Sequence, residues 1–321
     1  MPLVYVTRRL PEPGIEPLTA AGLDVELHDD DLPPAREELL AQVAGADGLV
    51  CTLADRIDAE VLDAAPRLQV VANLAVGYDN IDLAAAAARE VVVANTPDVL
   101  TEASADLTWA LLLAAARRVL EGDRLVRSGA WRGWAPAELL GRPVWGTTLG
   151  VIGMGAIGTA VARRARGFGM TVLYHNRRRA PDAEAEVGAT YVTLDELFER
   201  SDAISIHTPL NDESRHLVDA TALNRMKRTA VLVNVGRGPV VDEAALVEAL
   251  RAGEIAAAAL DVYEREPHLA AGLAELDNVV LAPHMASATS ASRAAMVRLA
   301  CENVVAVLAG RPAVTPVRSS R

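Results

Sequence analysis

The chain has 321 residues, with 31 Lys plus Arg against 43 Asp plus Glu, a formal net charge of −12. Apolar residues make up 51% and aromatics 3%, which excludes a disordered chain and supplies material for about two packed domains. The acidity argues against a general binder of nucleic acid or anionic membrane, and the scarcity of aromatics against a stacking platform for single strands. Any anionic ligand must therefore be held by a few placed cations. Cys51 and Cys301 are too few for a disulfide framework and lack metal-ligand spacing, so no metal is expected and a reducing, cytoplasmic setting is the simplest reading. Met1 to Thr7 reads as a buried strand rather than a signal peptide. The most apolar stretch, Trp109 to Val119, is too short to span a membrane and is interrupted by Arg117-Arg118.

Short β-type runs alternate with helical patterns from the start. Strands are predicted at Val4–Thr7, Asp24–Leu27, Gly48–Cys51, Gln69–Ala72 and Val91–Ala94. Helices fall between them, near 15–21, 36–43, 59–64 and 83–89. Such βα alternation implies a parallel sheet covered on both faces. A long helical pattern then runs from about Thr101 to Ser128, and Gly129–Thr147, rich in Trp, Gly and Pro, reads as an ordered arm. From Thr148 the alternation resumes with six predicted strands: Leu149–Ile152, Thr171–Tyr174, Ala203–His207, Ala230–Asn234, Ala256–Leu260 and Val279–Ala282. Six strands suit a dinucleotide-binding sheet. A last helix, about Ser290–Ala309, ends at Gly310-Arg311-Pro312. The expected fold is α/β with two Rossmann-like, doubly wound parallel sheets. A flavodoxin-like substrate domain (residues 1–98 and 288–321) would carry an inserted dinucleotide-binding domain (residues 99–287).

Gly153-Met154-Gly155-Ala156-Ile157-Gly158 fits G-x-G-x-x-G. It follows a predicted strand and opens a predicted helix, the context that gives this otherwise weak pattern meaning. The first glycine permits the turn, the second admits a pyrophosphate, and the third lets helix and strand pack. Amides near Ala156 and Ile157 at the helix N-terminus would face the phosphates. A ribose-reading Asp or Glu is expected about 20 residues on. The chain instead has His175-Asn176-Arg177-Arg178-Arg179. Asn176 removes the charge that would repel a 2′-phosphate, and arginine forks suit that dianion. NADP(H) is therefore expected over NAD(H), with Asn176, Arg177 and Arg178 nearest the phosphate. His207-Thr208-Pro209 closes a strand at the edge where a cofactor would lie.

Three polar residues stand at or beyond strand ends in the second half: Arg237 within Val235-Gly236-Arg237-Gly238, Glu266 within Asp261 to Pro267, and His284 after Pro283. Each alone is a weak signal. Together, behind a dinucleotide fingerprint, they supply a cation, a carboxylate and an acid–base group, the set that reduction of a 2-oxo acid needs.

Those residues, with Val76-Gly77-Tyr78-Asp79-Asn80-Ile81-Asp82, Thr96 to Glu102, His207 to Leu210 and Asn234 to Gly238, resemble the D-isomer-specific 2-hydroxyacid dehydrogenases over nearly the whole chain. Within that family the chain looks most like the glyoxylate/hydroxypyruvate reductases. The resemblance implies that Arg237 binds the substrate carboxylate and reacting oxygen. It implies that His284 gives the proton as hydride arrives, and that Glu266 keeps His284 protonated and oriented. Amides near Val76 and Gly77 would hold the carboxylate, and Leu53 would line the pocket. Asp261 would bind the nicotinamide amide, and Thr101, His207, Thr208, Pro209, Val235 and Gly236 would border the cofactor. A homodimer formed through the helix and arm is also implied.

Other readings are a phosphite, formate or phosphoglycerate dehydrogenase of the same superfamily, or a dinucleotide-sensing corepressor without turnover. Val76 stands where the phosphite enzymes are expected to carry lysine. Trp131 and Trp134 read as interface anchors, with a place beside the substrate pocket as the alternative.

Overall fold

A computed structural model describes residues 1–317. The described residues divide into two units, residues 1–100 with 287–317, and residues 101–286. The first unit begins with β1 (Leu3–Val6), α1 (Glu16–Ala20), β2 (Asp24–Leu27), α2 (Arg36–Val43), β3 (Gly48–Cys51), α3 (Ala59–Ala64), β4 (Val70–Asn73), α4 (Leu83–Ala88) and β5 (Val92–Ala94). Every pairing in its sheet is parallel, in the order β2-β1-β3-β4-β5, the flavodoxin-like arrangement. Strands β3 and β4 are buried at every position, as expected where helices cover both faces of a parallel sheet. Asp58 and Asp82 cap α3 and α4, each accepting a backbone N–H three residues on.

The second unit holds α5 (Thr101–Ala116), α6 (Val119–Arg127), β6 (Thr148–Ile152), α7 (Ala156–Ala165), β7 (Thr171–His175), α8 (Pro181–Val187), β8 (Thr190–Tyr191), α9 (Leu194–Arg200), β9 (Ala203–Ile206), α10 (Ala220–Arg225), β10 (Val231–Asn234), α11 (Glu243–Ala252), β11 (Ala257–Leu260) and β12 (Val279–Leu281). The final helix, α12 (Ser290–Leu308), returns to the first unit and packs on β3 and β4. The seven-stranded sheet runs β12-β11-β10-β9-β6-β7-β8, all parallel. The order reverses between β6 and β9, which is where open α/β sheets bind their ligands.

Two expectations need correction. The single helix predicted over Thr101–Ser128 is two. Arg118 adopts a left-handed backbone (φ +54°) and its guanidinium bonds Glu121 at 2.6 and 2.9 Å, restarting the chain as α6. The second sheet has seven strands rather than six, because the two residues of β8 add an edge strand on β7 after the left-handed turn at Gly188.

Trp109 ties α5 to α7. Its indole N–H donates to the Val161 carbonyl at 3.0 Å, and its ring stacks on Phe168 with centroids 4.5 Å apart. By contrast, no residue of α6 is buried. Val119, Leu120 and Val126 on that helix are exposed, as are Trp131, Trp134, Leu140 and Trp145 of the following arm. Both cysteines are unpaired and fully buried. Burial pushes the Cys51 thiol well above its ordinary value and the Cys301 thiol up to about 12.

Candidate active site

In the second unit the residues singled out from the sequence follow the C-terminal ends of strands along one sheet edge. Gly153 to Gly158 follow β6, Asn176 to Arg178 follow β7, and His207 to Pro209 follow β9. Val235 to Arg237 follow β10, Asp261 and Glu266 follow β11, and His284 follows β12. Thr101 is the first residue of α5.

The fingerprint loop has the shape a dinucleotide requires. Gly153 has φ +97°, and a Cβ there would lie 2.7 Å from the backbone of His207 and Thr208. A Cβ on Gly158 would meet the Gly153 carbonyl oxygen at 2.1 Å. A Cβ on Gly155, the residue before α7, would meet nothing within 4 Å. Two glycines are thus demanded by the protein's own packing, and the middle one faces open space beside a helix N-terminus, where a phosphate fits. Asn176 is built into the same loop: its Oδ1 accepts the Met154 N–H at 2.6 Å. Arg177 extends from that turn to Glu213, 3.1 Å away, with both side chains mostly exposed. Arg179 is turned elsewhere, onto Glu184 and the Tyr191 ring. The residues present therefore fit a nicotinamide dinucleotide.

His207 enters this region through its backbone. Its imidazole is buried against the Ser205 hydroxyl, 2.7 Å away, and burial lowers its pKa to about 3. It stays neutral through the physiological range and contributes no charge to the site.

After β10, Asn234 shapes the turn that presents Arg237. Its side chain accepts the Gly236 N–H and donates to the Arg237 carbonyl, both at 3.0 Å. The Arg237 guanidinium also donates to the Gly236 carbonyl at 2.9 Å. Gly238 lies against the next loop so closely that a Cβ would sit 1.9 Å from the Tyr263 carbonyl.

That loop holds Glu266. Its Oε1 accepts the Tyr263 N–H at 3.0 Å, and its Oε2 lies 2.8 Å from His284 Nδ1. The Tyr263 hydroxyl donates to the Ala282 carbonyl at 2.8 Å, fastening the loop to the strand end that carries His284. Burial would push the Glu266 carboxyl up. The hydrogen bond and charge of His284, with the Tyr263 amide and the Arg237 charge, outweigh burial and hold it below the usual carboxylate range. His284 itself has a left-handed backbone (φ +51°), and its N–H donates to the Asp261 carbonyl at 2.8 Å. Asp261 then accepts the next two N–H groups with its carboxylate, Met285 at 2.7 Å and Ala286 at 2.8 Å. Burial raises its pKa against those bonds. The imidazole is thus fixed through Nδ1, leaving Nε2 as the nitrogen that can exchange a proton with a ligand.

In the first unit, Leu53 follows β3, and Val76 and Gly77 follow β4. Asn95 donates to the Val76 carbonyl at 2.7 Å and Asn73 to the Gly77 carbonyl at 2.8 Å. Because a trans peptide sets its C=O and N–H on opposite sides, the amides of Gly77 and Tyr78 point the other way.

Sequence reasoning gave no role to Asn234 or Tyr263, which it quoted only inside motifs, and did not single out Glu243. Asn234 ended a predicted strand, which was a usable signal. Tyr263 gave none, since its role depends on a bond from a loop to a strand end; Glu243, the first residue of α11, gave none because the amides it accepts, Glu264 and Ala270, lie on a loop far along the chain.

A Gly-rich loop before a helix N-terminus, with a carboxylate–imidazole pair and an arginine on the same sheet edge, defines a dinucleotide-dependent oxidoreductase. Residues 109–286 match the family described as D-isomer specific 2-hydroxyacid dehydrogenase, NAD binding domain. The chain is 51% identical to a glyoxylate reductase of Thermococcus onnurineus over 95% of its length and 92% of the relative's. It is 50% identical to a glyoxylate reductase of Korarchaeum cryptofilum over 96% and 93%. Among solved structures it is similar to the NADPH-dependent glyoxylate/hydroxypyruvate reductase of Sinorhizobium meliloti in complex with NADP and malonate. That match has a TM-score of 0.87 and 36% identity, covering 100% of this chain and 99% of that one. A glyoxylate reductase of Paecilomyes thermophila matches with a TM-score of 0.88 and 31% identity, covering 98% of each. The chain belongs to the D-isomer-specific 2-hydroxyacid dehydrogenase family, and it is an NAD(P)-dependent dehydrogenase.

Proposed function

We propose that the enzyme reduces glyoxylate or hydroxypyruvate to glycolate or D-glycerate, with NADPH preferred over NADH. The observation that carries this reading is the 2.8 Å contact between His284 Nδ1 and Glu266 Oε2 on the edge that also holds the fingerprint loop and Arg237. Reduced nicotinamide, when bound, supplies a hydride to the carbonyl carbon. Charge then develops on the carbonyl oxygen. His284 gives that oxygen the proton on Nε2, while Glu266 stabilises the imidazolium and orients the ring. Arg237 binds the carboxylate and stabilises the forming oxyanion. In the first unit, the backbone at Val76 and Gly77 is assigned to the substrate carboxylate and Leu53 to the pocket wall. Lone pairs of Asp261 are assigned to the nicotinamide amide. Thr101, Gly153, Gly155, Ala156, Ile157, Gly158, His207, Thr208, Pro209, Val235 and Gly236 are assigned to the cofactor.

NADPH is favoured by the replacement of a ribose-reading carboxylate with Asn176 and by Arg177 and Arg178 beyond it. The NADP bound in the Sinorhizobium meliloti relative agrees with this. The uncovered apolar face of α6 and its arm supports a homodimer with a second copy as occupant. Two unpaired thiols suit a reducing, cytoplasmic compartment. Among the described residues no helix is long and apolar enough to cross a membrane.

The test is kcat/KM for glyoxylate, hydroxypyruvate and pyruvate with each nucleotide, in the wild type and in Arg237→Ala and His284→Ala. Turnover on glyoxylate and hydroxypyruvate with NADPH, lost in both variants, is expected. Near-normal turnover in either variant, or cofactor binding without turnover in the wild type, refutes the reading.

A further inference from the structure

The loop that carries Glu266 is held from beneath by a second buried carboxylate, Glu243. It is the first residue of α11 and is 2% exposed. Its Oε1 accepts the Glu264 N–H at 2.6 Å, and its Oε2 accepts the Ala270 N–H at 3.2 Å. Those donors lie on either side of Glu266, so one side chain closes both ends of the segment containing the dyad carboxylate.

The helix does not need Glu243 for its own start. Asp242 already caps α11, its Oδ1 accepting the Ala245 N–H at 3.0 Å. Nor does the position favour a charge. Burial raises the carboxyl's pKa, opposed mainly by the two amide bonds. A neutral side chain would avoid that desolvation, but glutamine cannot repeat the arrangement of one N–H on each of the two oxygens: it offers a single acceptor oxygen and sets an NH₂ against the other donor.

We infer that Glu243 is a positioning residue for reduction: it fixes residues 264–270 so that Glu266 stays on His284 Nδ1. The same carboxylate reaches the turn bearing Arg237 indirectly, because Gly238 abuts the backbone of Tyr263, beside Glu264. The inference rests on the dyad reading above. Misplacing a catalytic group by about 1 Å can cost on the order of a hundredfold in rate.

A double-mutant cycle on the full-length enzyme tests it. Glu243→Gln is expected to lower kcat for glyoxylate reduction by about ten- to a hundredfold with the NADPH KM changed less than about threefold. In a Glu266→Gln background the same substitution is expected to cost less than about threefold, since the group it positions is gone. Equal costs in both backgrounds would mark a merely structural role and overturn the inference alone. A Glu266→Gln enzyme with unchanged kcat would overturn the dyad reading and the inference with it. Should Glu243→Gln not accumulate folded, Glu243→Asp, which keeps the charge but shortens the reach, carries the same cycle. Amide exchange gives a second readout: Glu264 and Ala270 are expected to lose protection while the strands keep theirs. Unchanged protection at both would also overturn it.

Discussion

Gly238 and the Tyr263 carbonyl are in direct van der Waals contact, leaving no room for even one methyl group on residue 238. The turn that presents Arg237 and the loop that presents Glu266 are therefore set against each other backbone to backbone. Gly238→Ala must push one of them away. Overpacking of this kind costs about 1–3 kcal/mol, and the cost falls on the two loops that carry Arg237 and Glu266. The expected result is a kcat loss larger than the stability loss accounts for, measured by steady-state kinetics beside urea denaturation.

His207 makes a pH prediction. Its folded pKa is about 3, whereas the unfolded imidazole titrates near 6.5. The unfolded chain therefore binds a proton that the folded chain refuses. The stabilisation is complete above about pH 6.5 and is lost as pH falls towards 3, by at most about 1.4 kcal/mol per pH unit. His207→Asn is expected to flatten the slope of unfolding free energy against pH between about pH 6 and 4. An unchanged slope would place the titration elsewhere.

Asn176→Asp separates the two jobs of residue 176. An aspartate can still accept the Met154 N–H, so the loop should hold. The added charge would repel a 2′-phosphate and accept a ribose hydroxyl. Preference is expected to move towards NADH, with kcat/KM for NADPH falling by at least about tenfold, a change worth about 1.4 kcal/mol. Arg178→Ala should weaken NADPH more than NADH. An NADPH-selective Asn176→Asp enzyme would contradict the assignment.

Trp109→Ala removes a buried indole, its bond to Val161 and its stack on Phe168. The expected destabilisation is about 3–5 kcal/mol. At about 2–4 °C per kcal/mol this corresponds to a Tm lowered by roughly 6–20 °C, read by calorimetry.

The exposed face of α6 and the arm gives an assembly prediction. Trp134→Asp with Leu140→Asp should convert a dimer to monomer in sedimentation velocity at micromolar protein. A wild type sedimenting only as monomer would refute the dimer.

The strands were legible because the sheet interiors demand continuous apolar runs: Gly48–Cys51 and Val231–Asn234 are buried throughout and read that way in the sequence. The fingerprint loop was legible for the same local reason, since its glycines answer to contacts made by their own turn. Arg237, Glu266 and His284 could be singled out because each follows a recognisable strand, and the structure sets them on one sheet edge. The break at Arg118 was not legible, as nothing in the Ala-rich pattern before it marks a left-handed residue. The two-residue strand β8 is too short for a periodicity. Glu243 was hidden because its partners are 21 and 27 residues away, and an acidic residue opening a helix reads as an ordinary dipole partner.

The two buried thiols have a practical consequence. With Cys51 and Cys301 held protonated inside the first unit, neither offers the thiolate that alkylating probes attack. A single cysteine introduced on the surface, for example in the arm near Trp134, should take a fluorophore or spin label selectively without first stripping the native ones. The wild-type chain is its own unlabelled control.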